Sequence, residues 1–105
     1  MSTIITHGLV FMTIIVGRKQ QDALLAALLE TGIHLINTTY GRGTVKANVL
    51  QSAFGLAREE HKAVVTCLLA HEKADPVVRM LTEQFHFDKP NTGIAFTVPV
   101  ERLSF

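Results

Sequence analysis

With 105 residues, 48% hydrophobic and 18% charged, and a formal charge of +1, the chain has apolar material for one domain and too little charge for a disordered segment. The near-neutral balance argues against bulk attraction to nucleic acid or to an anionic membrane. The single cysteine, Cys67, has no partner for an internal disulfide, and the N-terminus shows neither a basic leader nor a small-residue cleavage site, so a cytoplasmic protein is expected.

The first run, "HGLVFMTIIVG" (His7–Gly17), is rich in β-branched residues and predicts a buried strand; with the residues before it, it is too short and too interrupted to span a bilayer. "RKQQDALLAALLETG" then predicts a helix. Leu24, Leu25, Leu28 and Leu29 recur at helical spacing, and Gly32 stands where a helix C-cap belongs. "IHLINTTY" predicts a second strand, with Ile33, Leu35 and Asn37 on one face and His34 and Ile36 on the other. "GRGTVKANVLQSAFGLAREE" reads as a long connection with a short helical pattern in Val45, Val49, Leu50 and Phe54.

"HKAVVTCLLA" is an almost continuous apolar run, which predicts a central strand and a buried, unreactive Cys67. In "EKADPVVRMLTEQFHF", Asp75 is the expected N-cap, Pro76 the first helical residue, and Val77, Val78, Leu81 and Phe85 the buried stripe. "TGIAFTVPV" predicts a last strand, placed at an edge or ending at Pro99, which has no N–H for a ladder.

The order β-α-β-β-α-β defines a ferredoxin-like α+β domain over residues 1–105, with two helices on one face of a four-stranded antiparallel sheet. The other face is left bare. Its residues are drawn from Val10, Met12, Ile14, Val65, Cys67, Leu69, Ala95 and Thr97 or from their neighbours, and an apolar bare face predicts self-association.

Chemistry-bearing motifs are sparse. His7, His34, His61, His71 and His86 have no HxH or HExxH spacing, so no metal site is expected, and Glu59-Glu60 reads as surface. "YGRGTVK" (Tyr40–Lys46) combines glycines, which permit close backbone approach, with Arg42 and Lys46; it suits either an anion site or a strand-ending turn. "DKPNTG" (Asp88–Gly93) brings Lys89, Asn91 and Thr92 into what is otherwise an ordinary helix-to-strand turn.

Two of these stretches carry a family resemblance. "GIAFTVPVE" (Gly93–Glu101) is similar to the "GKIFVYPVE" pattern of the last strand of PII signalling proteins, sharing Gly93, Phe96, Pro99, Val100 and Glu101. "YGRG" (Tyr40–Gly43) resembles the "FGRQ" that opens their T-loop, so residues 41–60 take the T-loop position and 88–92 that of the B-loop. The resemblance implies a homotrimer that binds an adenine nucleotide (ATP, ADP or AMP) or another anionic effector in its intersubunit clefts. Gly41, Arg42, Gly43, Lys46, Lys89, Asn91 and Gly93 would line the cleft. It also implies no catalysis and no nucleic-acid partner, with a T-loop that docks on a transporter or enzyme, as in nitrogen regulation.

The departures are specific. The B-loop lysine falls on Ile94, the T-loop glutamine on Gly43, no tyrosine lies in 41–60, and no arginine-bearing tail follows Phe105 in this sequence. Each lost charge-assisted contact is worth about 1.5–3 kcal/mol, so Arg42, Lys46, Lys89 or Arg102 would have to compensate for a phosphate ligand to bind. The alternatives are a CutA-like metal-binding trimer and a purely structural oligomer.

Overall fold

The computed structural model describes residues 3–33, 35–42, 61–90 and 92–104; the side chains of residues 3–7, 41 and 42 lie outside that description. In chain order the elements are β1 (Thr3–Gly17), a 3₁₀ turn (Arg18–Gln20), α1 (Gln21–Glu30), β2 (Leu35–Arg42), β3 (His61–Ala70), α2 (His71–Phe85) and β4 (Gly93–Ser104). The strands form one sheet in the order β2-β3-β1-β4, and every neighbouring pair is antiparallel. The expected ferredoxin-like α+β fold is the observed one. β3 is central, and Pro99 lies on the edge strand β4, opposite Val10.

Both helices pack on the face formed by alternate residues of β1 and β3. Val10, Met12, Ile14 and Val16 of β1 and Ala63, Val65, Cys67 and Leu69 of β3 are buried with Leu24 and Leu28 of α1 and Val77, Leu81 and Phe85 of α2. This settles the bare face. Val10, Met12, Ile14, Val65, Cys67 and Leu69 lie beneath the helices; Ala95 and Thr97 share their side of the sheet, opposite Ile14 and Met12. Their neighbours Phe11, Phe96 and Val98 form the other side with Leu35, which is 67% exposed; no described residue covers that side. Strands that are apolar on both faces give no alternation from which to choose between them.

Three local expectations are corrected. α2 begins at His71, with Ala70 as N-cap, so Asp75 is no cap and Pro76 lies inside the helix. β3's apolar run ends at Ala70, and the next five residues contain no β-branched side chain, so the helix starts where the strand stops. Pro76 then lacks the donor for the Glu72 carbonyl, an interior cost of about 3 kcal/mol that the buried Val77, Met80, Leu81 and Phe85 offset. Val78 of the expected stripe is 46% exposed and Leu29 is 52% exposed, while Leu24 and Leu28 are fully buried. Ile33 precedes β2 instead of opening it: it is 2% exposed and seals the end of α1.

That seal follows a Schellman pattern. Gly32 adopts φ +88, its N–H donates to the Leu29 carbonyl, and the Ile33 N–H donates to the Leu28 carbonyl at 3.0 Å. Lys73 of α2 donates to the Thr31 carbonyl at 3.1 Å, and its Nζ sits where a β-carbon on Gly32 would go. Gly32→Ala is therefore expected to lower stability by about 1–2 kcal/mol, measured by urea unfolding, with the native fold retained in circular dichroism.

Candidate functional site

Four strand ends meet at one end of the sheet. β1 and β2 leave it at Gly17 and Arg42, and β3 and β4 enter it at His61 and Gly93. Lys62 is the cross-strand partner of both Gly17 and Gly41, His61 that of Arg42, and Gly93 that of Val16. The two predicted glycine loops thus reach the same end of the sheet, but on opposite edge strands. Three strand spacings separate β2 from β4, roughly 14 Å, so Gly41 and Arg42 do not meet Lys89 and Gly93 within one chain.

The loop ahead of β4 is a fastened turn. His86 ends α2 in the left-handed region, φ 60, and its carbonyl accepts the Lys89 N–H at 2.9 Å. The Thr92 hydroxyl lies 2.8 Å from the carbonyls of both His86 and Lys89, tying the two ends of the turn together. Lys89 is exposed at its tip. Gly93 is required by close approach: a β-carbon there would lie 2.8 Å from the Ile15 carbonyl oxygen and 2.6 Å from the Phe87 ring. Beside the turn is a cleft of about 240 Å³ lined by Val78, Thr82, Phe87, Asp88, Gly93 and neighbouring apolar groups.

On the other edge, Gly41 and Arg42 are the last residues of β2, so the start of the expected loop is strand. Just before them, Tyr40 is 58% exposed, and the Arg18 guanidinium stacks on its ring at 4.3 Å from the centroid. Gly43, Lys46 and Asn91 lie outside the described residues, as does the rest of the 43–60 connection. Arg18 and Lys62 were missed in the sequence; each stands beside a strand end, and only the pairing of β3 with both β1 and β2 gathers them with Arg42. Arg102 pairs with Ile5 at the opposite end of β4, nine residues or roughly 30 Å from Gly93, and is too distant to replace a cation at this end of its own chain.

Among the described residues no three His, Cys, Asp or Glu side chains come together as metal ligands. Cys67 is buried, and loss of solvation pushes its thiol up from the ordinary value of 9.0. The bare face carries a groove of about 560 Å³, bordered by Phe11, Leu35, Leu68, Val100 and Leu103. No helix of the described residues is long and apolar enough to cross a membrane.

No family model matches this sequence, and no curated protein matches it. Solved structures do match. A four-stranded sheet of this order under two helices makes the chain a ferredoxin-like α+β protein. More narrowly, its structure matches the PII and PII-like proteins and CutA. The PII-like protein CPII of Thiomonas intermedia, bound to ADP, AMP and bicarbonate, aligns with a TM-score of 0.67 at 12% identity, over 99% of this chain and 98% of that one. CutA of Synechococcus elongatus, complexed with Bis-Tris, aligns at 0.72 with 16% identity, over 98% of this chain and 90% of that one. Arabidopsis thaliana PII, bound to citrate, aligns at 0.66 with 19% identity, over 90% of this chain and 78% of that one. At such identities the likeness defines the fold.

Two outcomes follow. Gly93→Ala has a backbone oxygen in its way and is expected to cost about 1–3 kcal/mol, read as a lower urea midpoint with Phe87 displaced. For Cys67, the folded chain holds a proton that the unfolded chain loses. The associated stability is full below the unfolded value near 9.0 and is lost as pH rises through the folded one. Cys67→Ala should therefore fall less steeply in Tm with alkaline pH than the parent, whatever its absolute Tm.

Proposed function

We propose that this chain is a PII-like regulatory protein, a homotrimer that senses a small anionic effector in clefts between its subunits and signals to a partner protein. The observation that carries the reading is the placement of Gly41–Arg42 and Lys89–Gly93 at one end of the sheet on its two opposite edges. A second copy is what can set one edge against the other and complete the site. The bare apolar face supplies the drive for assembly: Phe96 and Val98 are 48% and 52% exposed, and burial of such side chains contributes about 1.5–3 kcal/mol each.

In this reading Gly41, Arg42, Gly43, Lys46, Lys89, Asn91 and Gly93 line the cleft, with Arg18 and Lys62 adding positive charge at the same sheet end. The effector is an adenine nucleotide (ATP, ADP or AMP) or a smaller anion, since CPII and plant PII are seen with nucleotides, bicarbonate and citrate. With Ile94 in place of the B-loop lysine, Lys89 supplies the cation from the adjoining turn. Residues 41–60 would carry the signal to an enzyme or transporter, in a nitrogen-related role or another, and the protein would not itself catalyse a reaction.

A second reading is a CutA-like metal-binding trimer, whose fold this chain shares at a TM-score of 0.72. Metal analysis of protein purified without chelators or a metal-affinity tag separates the two. The primary test is calorimetry with ATP, ADP, AMP and cyclic nucleotides on protein of known mass by light scattering. A three-copy particle that binds one of them, with the affinity reduced about tenfold or more in Arg42→Ala or Lys89→Ala, sustains the proposal; a monomer overturns it.

A further inference from the structure

We infer that Arg18, stacked on Tyr40, takes the oxyanion of the effector, a carboxylate or a phosphate, and that Tyr40 registers its arrival beside the start of the 43–60 connection. This role rests on the effector reading above and gives that site the residue that holds the anion and the residue that senses it.

Arg18 is exposed in the 3₁₀ turn between β1 and α1, and Tyr40 is 58% exposed near the end of β2. Tyr40 pairs with Ala63, which is buried beneath the helices, so the ring stands on the helix side of the sheet. Exposed His61 falls on the same side, two positions along β3, and its strand partner is Arg42. Lys19 follows Arg18 in the turn. Asp22, in the first turn of α1, is the acid nearest along the chain and is itself exposed. Among the described residues no carboxylate forms an ion pair with Arg18; its contact is the Tyr40 ring, 4.3 Å from the guanidinium carbon.

Stacking engages the flat face of a guanidinium and leaves its edge. That edge carries N–H donors spaced to meet two oxygens of a carboxylate or a phosphate. A face held on a ring leaves less rotamer freedom to be lost when the anion arrives. A lysine would bring the charge but neither the flat face nor the fork. The position of the ring gives the contact its consequence. Tyr40 is followed directly by Gly41 and Arg42, the last residues of β2, and then in sequence by the connection. An anion at the edge of Arg18 offsets the charge that faces the ring, so the surroundings of Tyr40 change with occupancy.

Tyr40 is the single tyrosine of a chain without tryptophan, so tyrosine emission reports this ring alone. The experiment titrates pyrophosphate and citrate by fluorescence and calorimetry, and ADP by calorimetry, at constant ionic strength with chloride as the control. Circular dichroism verifies that each variant folds. In the parent, emission is expected to change saturably with the oxyanion that binds: pyrophosphate together with ADP marks a phosphate, citrate a carboxylate. Arg18→Gln should lose that change and bind about tenfold or more weakly. Arg18→Lys should rescue only part of the affinity and of the emission change. These results sustain the role of Arg18. Binding heat with no change in the parent's emission, or equal affinity in Arg18→Gln, overturns it and leaves the effector reading standing. No heat with any of the three overturns it and the anionic-effector reading together.

Discussion

β1 and β3 are apolar on both faces, and among the described residues α1 and α2 cover only one of them. Met12, Ile14, Val65 and Cys67 are sealed under α1 and α2, while Phe11, Val64 and Leu68 face the other way beside Leu35, Phe96 and Val98. Among the described residues nothing covers the second set, and its burial would be favourable. That face carries a groove of about 560 Å³, and an apolar face of this kind is what the proposed assembly would cover. The proposed assembly, the proposed cleft and the proposed signalling role all depend on that imbalance.

The sheet order has a second consequence. In β2-β3-β1-β4 the two strands that carry the glycine loops are the outermost ones. Each is an edge of the sheet, and each brings its loop to the same end. A ligand that needed both would therefore lie at a boundary between copies. Its occupancy would report on how those copies sit together, which is a simple physical route from binding to regulation. The basic residues Arg18, Lys62 and Arg42 lie around one of these edges, and Lys89 beside the other.

The turn Asp88–Thr92 shows how a binding loop and a plain turn need not exclude one another. Its ends are held by the Thr92 hydroxyl and the left-handed His86, and Gly93 lets the strand pass beneath the Phe87 ring. These contacts fix the backbone and leave Lys89 exposed at the tip. A turn tied at His86 and Thr92 that exposes Lys89 would hold an anion at low entropic cost. On the opposite edge, Arg18 stacks on Tyr40 beside the end of β2.

Much of this was open to reading in the residues alone, where the signal is local. Helical periodicity marked both helices, β-branched and apolar runs marked the four strands, Gly32 marked the end of α1, and "HKAVVTCLLA" marked the central strand to the residue. The order of those elements was enough for the ferredoxin-like fold, because few connections of short loops are compatible with it. What stayed hidden depended on distance through space. Which face of a doubly apolar strand meets the helices is decided by a register set across the sheet, so Val10 and Phe11 are indistinguishable by hydrophobicity. The start of α2 at His71 in place of Asp75 depended on where β3 ran out of core to cover. The cation over Tyr40 and the gathering of Lys62 with Gly17 and Gly41 arise from strand pairing between segments far apart in the chain. The sequence by itself determined the elements, their order and an apolar excess, all of which follow from local propensity and pattern. Only the tertiary structure decided which side that excess faces and which charges meet at the sheet end, because both are consequences of register and no residue carries its register alone.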